Sequence, residues 1–189
     1  MCNFYTGCVF NAIECKNCCK TKILHSYKLN KEIKKAWIFL YDEYNKILSN
    51  SDEGVYIDTR MHIISSYVLV PSIFHGSIRI LFLEYFRMKG VDTSILERGK
   101  WLPIDMNINK KLIESIFVSQ NIHFSEMNLH MDALDFFTKG DQVLHRNKAA
   151  HNATDAIQEA SRIMLKDIFK KFVTLMHCVV CFERIILKI

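Results

Sequence analysis

The sequence predicts an all-α fold, a single bundle of four to six helices, and three observations carry the prediction. Gly (6) and Pro (2) are scarce among 189 residues, so turns are few and elements long. Apolar residues recur at steps of three and four through most of the chain. No stretch of useful length alternates apolar and polar residues as a half-buried strand does, and there is no internal repeat or low-complexity tract.

Composition sets the frame for these helices. Hydrophobic residues make up 50% of the chain and 13 are Phe, enough for one sizeable core and against intrinsic disorder. The net charge of +5 is spread among acids rather than gathered in blocks. It is compatible with an anionic partner such as RNA and equally with a solvated surface. The opening "MCNFYTGCVF" lacks the basic region and clean apolar run of a secretory signal. The most apolar span, residues 63–86, contains Pro71, His75, Arg79 and Glu84, which a membrane-spanning helix would rarely carry. A cytoplasmic protein with no membrane partner is the expectation.

Residues 1–27 read as an irregular, Cys-rich N-terminal segment, and residues 28–189 as the bundle. In "LNKEIKKAWIFLYDEYNKILSN", Leu29, Ile33, Ala36, Leu40, Tyr44 and Ile47 mark one face of an amphipathic helix that "SDEG" ends. A second helix covers roughly 58–89. Pro71, which lacks an N–H, should kink or restart it, and Gly90 should stop it. After Pro71 this helix is apolar on most sides, so it belongs at the centre of the bundle. "DTSILERGKWLP" is a connector. Residues 106–121 predict a short third helix and residues 125–140 a fourth, closed by Gly140. From Ala153 the run Ile157, Ala160, Met164, Ile168, Phe172 and Leu175 predicts a long helix, with room for one break. Its Ile157, Met164, Ile168 and Phe172 form an inward face.

Seven cysteines in such a chain should be reduced thiols. "CKNC" (Cys15, Cys18) and "CVVC" (Cys178, Cys181) could together make a four-thiolate zinc site, although the pairs are far apart in sequence. Cys178 and Cys181 sit in an apolar helical run, where Cys is a small hydrophobe. A knuckle of Cys8, Cys15, Cys18 and Cys19 lacks the usual ligand spacing. Ordinary core cysteines are the expectation, with no metal and no cofactor.

The chemistry-bearing stretch is "HRNKAAHN", residues 145–152. It combines an always-charged Arg146, a titratable His151 and two amides, Asn147 and Asn152. On one continuous helix, positions five apart are turned by roughly 140°, so Arg146 and His151 would not meet one ligand. At a helix junction they can. Asn152 and Thr154 are good N-caps, and a helix N-terminus favours anions. Arg matches the planar geometry of a phosphate, and His can move a proton near neutral pH. The set points to metal-free phosphodiester cleavage, with His151 activating a ribose 2′-OH and Arg146 holding the phosphate. A polar turn between helices is the bland alternative.

"RNKAAH" resembles the Arg-x4-6-His motif of HEPN domains, including the polar residue after the Arg (Asn147) and the small Ala150 before the His. "VPSIFHGSIRILFLEYFRMKG" is similar to their apolar second core helix. The resemblance spans about residues 28–175, and the short motif is its diagnostic part. It implies a helical bundle and a metal-independent endoribonuclease that leaves a cyclic phosphate and acts as a homodimer. Arg146 would be the phosphate clamp, His151 the acid and base, and Asn147 a polar positioner. Lys148 and Asn152 would touch the RNA, whether tRNA or mRNA. A toxin with a separate antitoxin, or an anti-phage effector, is the implied setting. The chain departs from the family pattern in two places. Ile78, Arg79 and Ile80 stand where many members have an acidic residue, with Glu84 one turn on. Ala153 replaces the Tyr that a nucleotidyltransferase antitoxin modifies in one branch. Other members lack activity and bind a nucleotide or a partner protein, which is the rival expectation here.

The neighbours have plainer readings. His145 suits a surface or cap position, and His75 a hydrogen-bonded core position. Lys148 is by default solvated. Trp37 and Trp101 suit the core or an interface. There is no Gly-rich phosphate loop, Ser-His-Asp arrangement or HExxH helix.

Overall fold

The computed structural model describes residues 12–53, 58–94, 127–139, 144 and 146–187. Among these residues the chain is all-helical, with seven helices and no strand. They are α1 (Ala12–Leu24), α2 (Lys31–Asp52), α3 (Arg60–Met88), α4 (Met127–Thr138), α5 (Arg146–His151), α6 (Ala153–Ala160) and α7 (Leu165–Leu187). The third helix expected at 106–121, Trp101, His145, Gly140 and residues 1–11 lie outside the described residues.

Two features bring the described helices to seven, above the four to six expected. Residues 12–24, expected to be irregular, form α1, which packs on α2 and α7 and buries Cys19 and Ile23. Its apolar face is made partly of cysteine among lysines, so no conventional hydrophobic stripe announces it. The long helix expected from Ala153 divides into α6 and α7, with a turn at 161–164. The break rotates the apolar pattern. Ile168 and Phe172 are buried as expected, but Ile157 and Met164 are exposed, and Ala156 and Ala160 form the buried side of α6. Two small residues allow α6 to lie close against α3.

Local chemistry explains the boundaries. Asn30 caps α2, its Oδ1 accepting from Ile33 N at 2.9 Å. Gly90 stops α3 with φ 75°, and Val91 N donates back to Phe86 O at 3.0 Å. Between these limits α3 is one helix through Pro71, so the chain does not restart there. Pro71 is buried, and α3 is flanked by α2, α4, α5, α6 and α7, so tertiary packing holds the helix across the missing donor. Length and composition would let α3 cross a membrane. Half of that window is buried in the bundle, as in a central core helix.

The core joins α2, α3 and α7. Trp37 and Tyr44, two turns apart on α2, pack against Phe172 with ring centroids at 5.1 Å in both cases. Their polar ends turn the other way, to α3. Trp37 Nε1 donates to Ser77 Oγ at 2.8 Å, and Ser77 donates on to Ile73 O. Tyr44 Oη meets Ser66 Oγ at 2.6 Å, and Ser66 donates to His62 O. Two buried hydroxyl contacts thus satisfy the aromatic polar groups and set the register of α2 on α3. Gly76 marks the close approach of these helices, since a Cβ there would lie 3.0 Å from Ile33 Cδ1.

The α1–α2 corner meets α7 at a buried carboxylate. Glu183 on α7 accepts from Ser26 Oγ at 2.7 Å and from Lys28 N at 2.9 Å in the α1–α2 corner. Lys28 Nζ reaches Glu84 on α3 at 2.9 Å. Hydrogen bonds from Lys28 and then Arg87 hold the Glu84 carboxyl below its ordinary range. Glu84 is therefore committed to structural pairs.

Candidate functional site

Buried Leu144 leads the chain from α4 into α5. The six residues of α5 are the motif itself, RNKAAH. Ala149 is its half-buried contact with the core, and α5 lies against α3, α4 and α6. Asn152 then breaks the helix with φ −136° and ψ 82°. Its backbone serves both sides of the break. Its N–H closes α5 on Lys148 O, and its carbonyl opens α6 by accepting from Ala156 N, each at 3.0 Å.

The junction therefore falls after His151 rather than between Arg146 and His151. Positions 146 and 151 share one continuous helix and are turned by roughly 140° about its axis. The two positions therefore lie on different sides of α5, where the expectation placed a junction between them. The side chain of Arg146 lies outside the described residues. His151 is exposed, and its ring makes no hydrogen bond or ion pair with the described residues. Asn147 and Ala150 are exposed beside it.

Asn152 is the N-cap of α6, as its residue type predicts. Its Oδ1 accepts from Asp155 N at 3.3 Å and its Nδ2 donates to Asp155 Oδ2 at 2.8 Å. This reciprocal cap uses the amide expected to touch RNA. It also places a carboxylate in the first turn of α6, where the sequence suggested an anion would bind. Lys148, likewise expected at RNA, is half-buried, with Nζ 3.4 Å from Glu159 Oε1. The other oxygen of Glu159 receives Arg162 at 3.3 Å.

Among the described cysteines, Cys19 and Cys178 are buried and Cys18 and Cys181 half-buried, and none is in a disulfide. Burial pushes the Cys178 thiol well above its ordinary range. Cys181 Sγ lies 3.6 Å from both ring nitrogens of His177. Burial, and then the charge of Lys22, lower the His177 pKa to about 4. The side chain of Cys15 lies outside the described residues. No group of three His, Cys, Asp or Glu among the described residues is placed to hold a metal ion. The sequence did not single out Glu159, the carboxylate that pairs with Lys148 of the motif. Its i+7 spacing from Asn152 was the available signal.

Comparison with protein-family models, with curated proteins and with solved structures finds no match for this chain.

Proposed function

We propose that this chain is a HEPN-type, metal-independent endoribonuclease that works as a symmetric homodimer in the cytoplasm. The observation that carries the reading is the Arg-x4-His motif, which occupies a short helix of its own and leaves an exposed His151 with no described intramolecular partner. His151 takes the proton of the ribose 2′-OH, whose oxygen attacks the adjacent phosphorus. The 5′-oxygen leaves with a proton from an acid, and a 2′,3′-cyclic phosphate remains. One motif supplies one His, whereas the reaction needs a base and an acid. The roughly 140° between positions 146 and 151 favours the same conclusion, since Arg146 of one copy can then serve a phosphate approached by His151 of the other. Asn147 orients the phosphate, and the substrate is tRNA or mRNA. Such an activity suits a toxin controlled by a separate antitoxin, or an anti-phage effector.

The test is cleavage of tRNA and mixed RNA in the presence of chelator. Wild-type protein should cleave, while His151→Ala and Arg146→Ala should each lose at least about a hundredfold in rate, within the range general acid–base catalysis supplies. A dimeric wild type that cleaves nothing, or a His151→Ala protein as active as wild type, ends this reading. A second reading is a non-catalytic HEPN-like module that binds a nucleotide or partner protein. It is favoured by the commitment of Lys148 and Asn152 to carboxylates of α6. Nucleotide binding by a protein that cleaves no RNA would select it.

A further inference from the structure

The orientation of α5 has to come from outside α5. A helix of six residues is far below the length that sustains itself, and its core contact is the small Ala149. Across the bend at Asn152, two carboxylates of α6 reach back. Asp155 holds the bend through the Asn152 amide. Glu159 holds the body of α5 through Lys148, and its second oxygen is anchored by Arg162. Both members of the Lys148–Glu159 pair are largely withdrawn from solvent, with side-chain exposures of 28% and 20%.

Resting on the ribonuclease reading above, we propose that Glu159 is a positioning residue that sets the angle of α5 to α6 through Lys148, and so sets where the motif of one copy meets that of the other. Position 146 lies about 9 Å along α5 from the bend at Asn152. A swing of roughly 10° about that bend carries it some 1.5 Å. Position 151, beside the bend, barely moves. In a site shared by two copies, the swing changes the spacing between the Arg of one and the His of the other. A displacement of about 1 Å at reacting groups can lower a rate up to about a hundredfold. Lys148 is then a strut rather than an RNA contact.

Hydrogen exchange and steady-state kinetics on the full-length dimer test this together. In Glu159→Gln and in Lys148→Met, the amides of Ala150, His151 and Asn152 should exchange about tenfold faster while those of α3 do not change. In both variants kcat for RNA should fall about tenfold with KM within about twofold. Lys148→Arg, which preserves the ion pair, should restore amide protection. Unchanged exchange in α5 overturns the role. A Lys148→Met protein that raises KM at constant kcat, beside a Glu159→Gln protein that does not, overturns it in favour of direct RNA contact. If wild-type dimer cleaves no RNA, the ribonuclease reading fails and this role with it. An active wild type with unaltered variants removes the positioning role alone.

Discussion

Replacing Glu183 by Ala tests whether the N-terminal segment belongs to the fold. Glu183 is 8% exposed, and its carboxylate accepts one hydroxyl and one backbone N–H from the α1–α2 corner. Truncation leaves Ser26 Oγ with one remaining contact, its acceptance from Leu29 N at 3.0 Å, and leaves Lys28 N without its acceptor. A buried polar group left unsatisfied costs about 1–3 kcal/mol. Two groups, with Lys28 only half-buried and open to water, give an expected loss of about 2–4 kcal/mol. For a chain of this size that is roughly 5–15 °C in Tm. Glu183→Gln retains a neutral acceptor and should lose about 1 kcal/mol. Urea unfolding followed by far-UV circular dichroism measures all three proteins. Hydrogen exchange of α1 should quicken in Glu183→Ala before that of α3 does. A Glu183→Ala protein within about 0.5 kcal/mol of wild type would refute the reasoning, as would a Gln variant as unstable as the Ala variant.

Other expectations follow from single features. His177 should make stability fall as pH drops from 6.5 towards 4, because the unfolded chain takes up a proton that the folded His177, with its pKa lowered to about 4, refuses. The contribution is about 3 kcal/mol, and His177→Gln should flatten that limb of a pH–stability curve. Burial pushes Tyr44 up to about 12. Stability therefore present below pH 10 should be lost between pH 10 and 12, and an absorbance titration should show Tyr44 ionising only with unfolding. Gly90→Ala forces a side chain into φ 75° and should cost about 1–2 kcal/mol by thermal melting. Gly76→Ala should be near neutral, since about 1 kcal/mol of helix propensity offsets displacement of the flexible tip of Ile33. His151→Ala, at an exposed position, should leave Tm within about 1 °C, so that any loss of cleavage reports chemistry rather than folding.

The sequence by itself determined the helical character of this chain, the amphipathic face of α2, the central place of α3 and its stop at Gly90. These follow from periodicity and from the backbone chemistry of single residues, which act over a few positions. It also marked the motif and the capping role of Asn152, because an amide before a helix has a local use. It left α1 hidden, since cysteines stand in for the usual apolar stripe. It put Ile157 and Met164 on the wrong side, because a turn of four residues resets the helical phase.

Only the tertiary structure decided matters that depend on residues far apart in sequence. The continuity of α3 through Pro71 rests on the helices packed around it. The closing of α1–α2 onto α7 rests on Glu183, more than 150 residues from its partners. The pairing of the motif helix with α6 is made by Lys148 and Glu159, and nothing in the motif announces that carboxylate. Periodicity places a residue on a face of its own helix. Which other helix that face meets, and which carboxylate reaches across a bend, is settled by packing and by the pairing of buried charge.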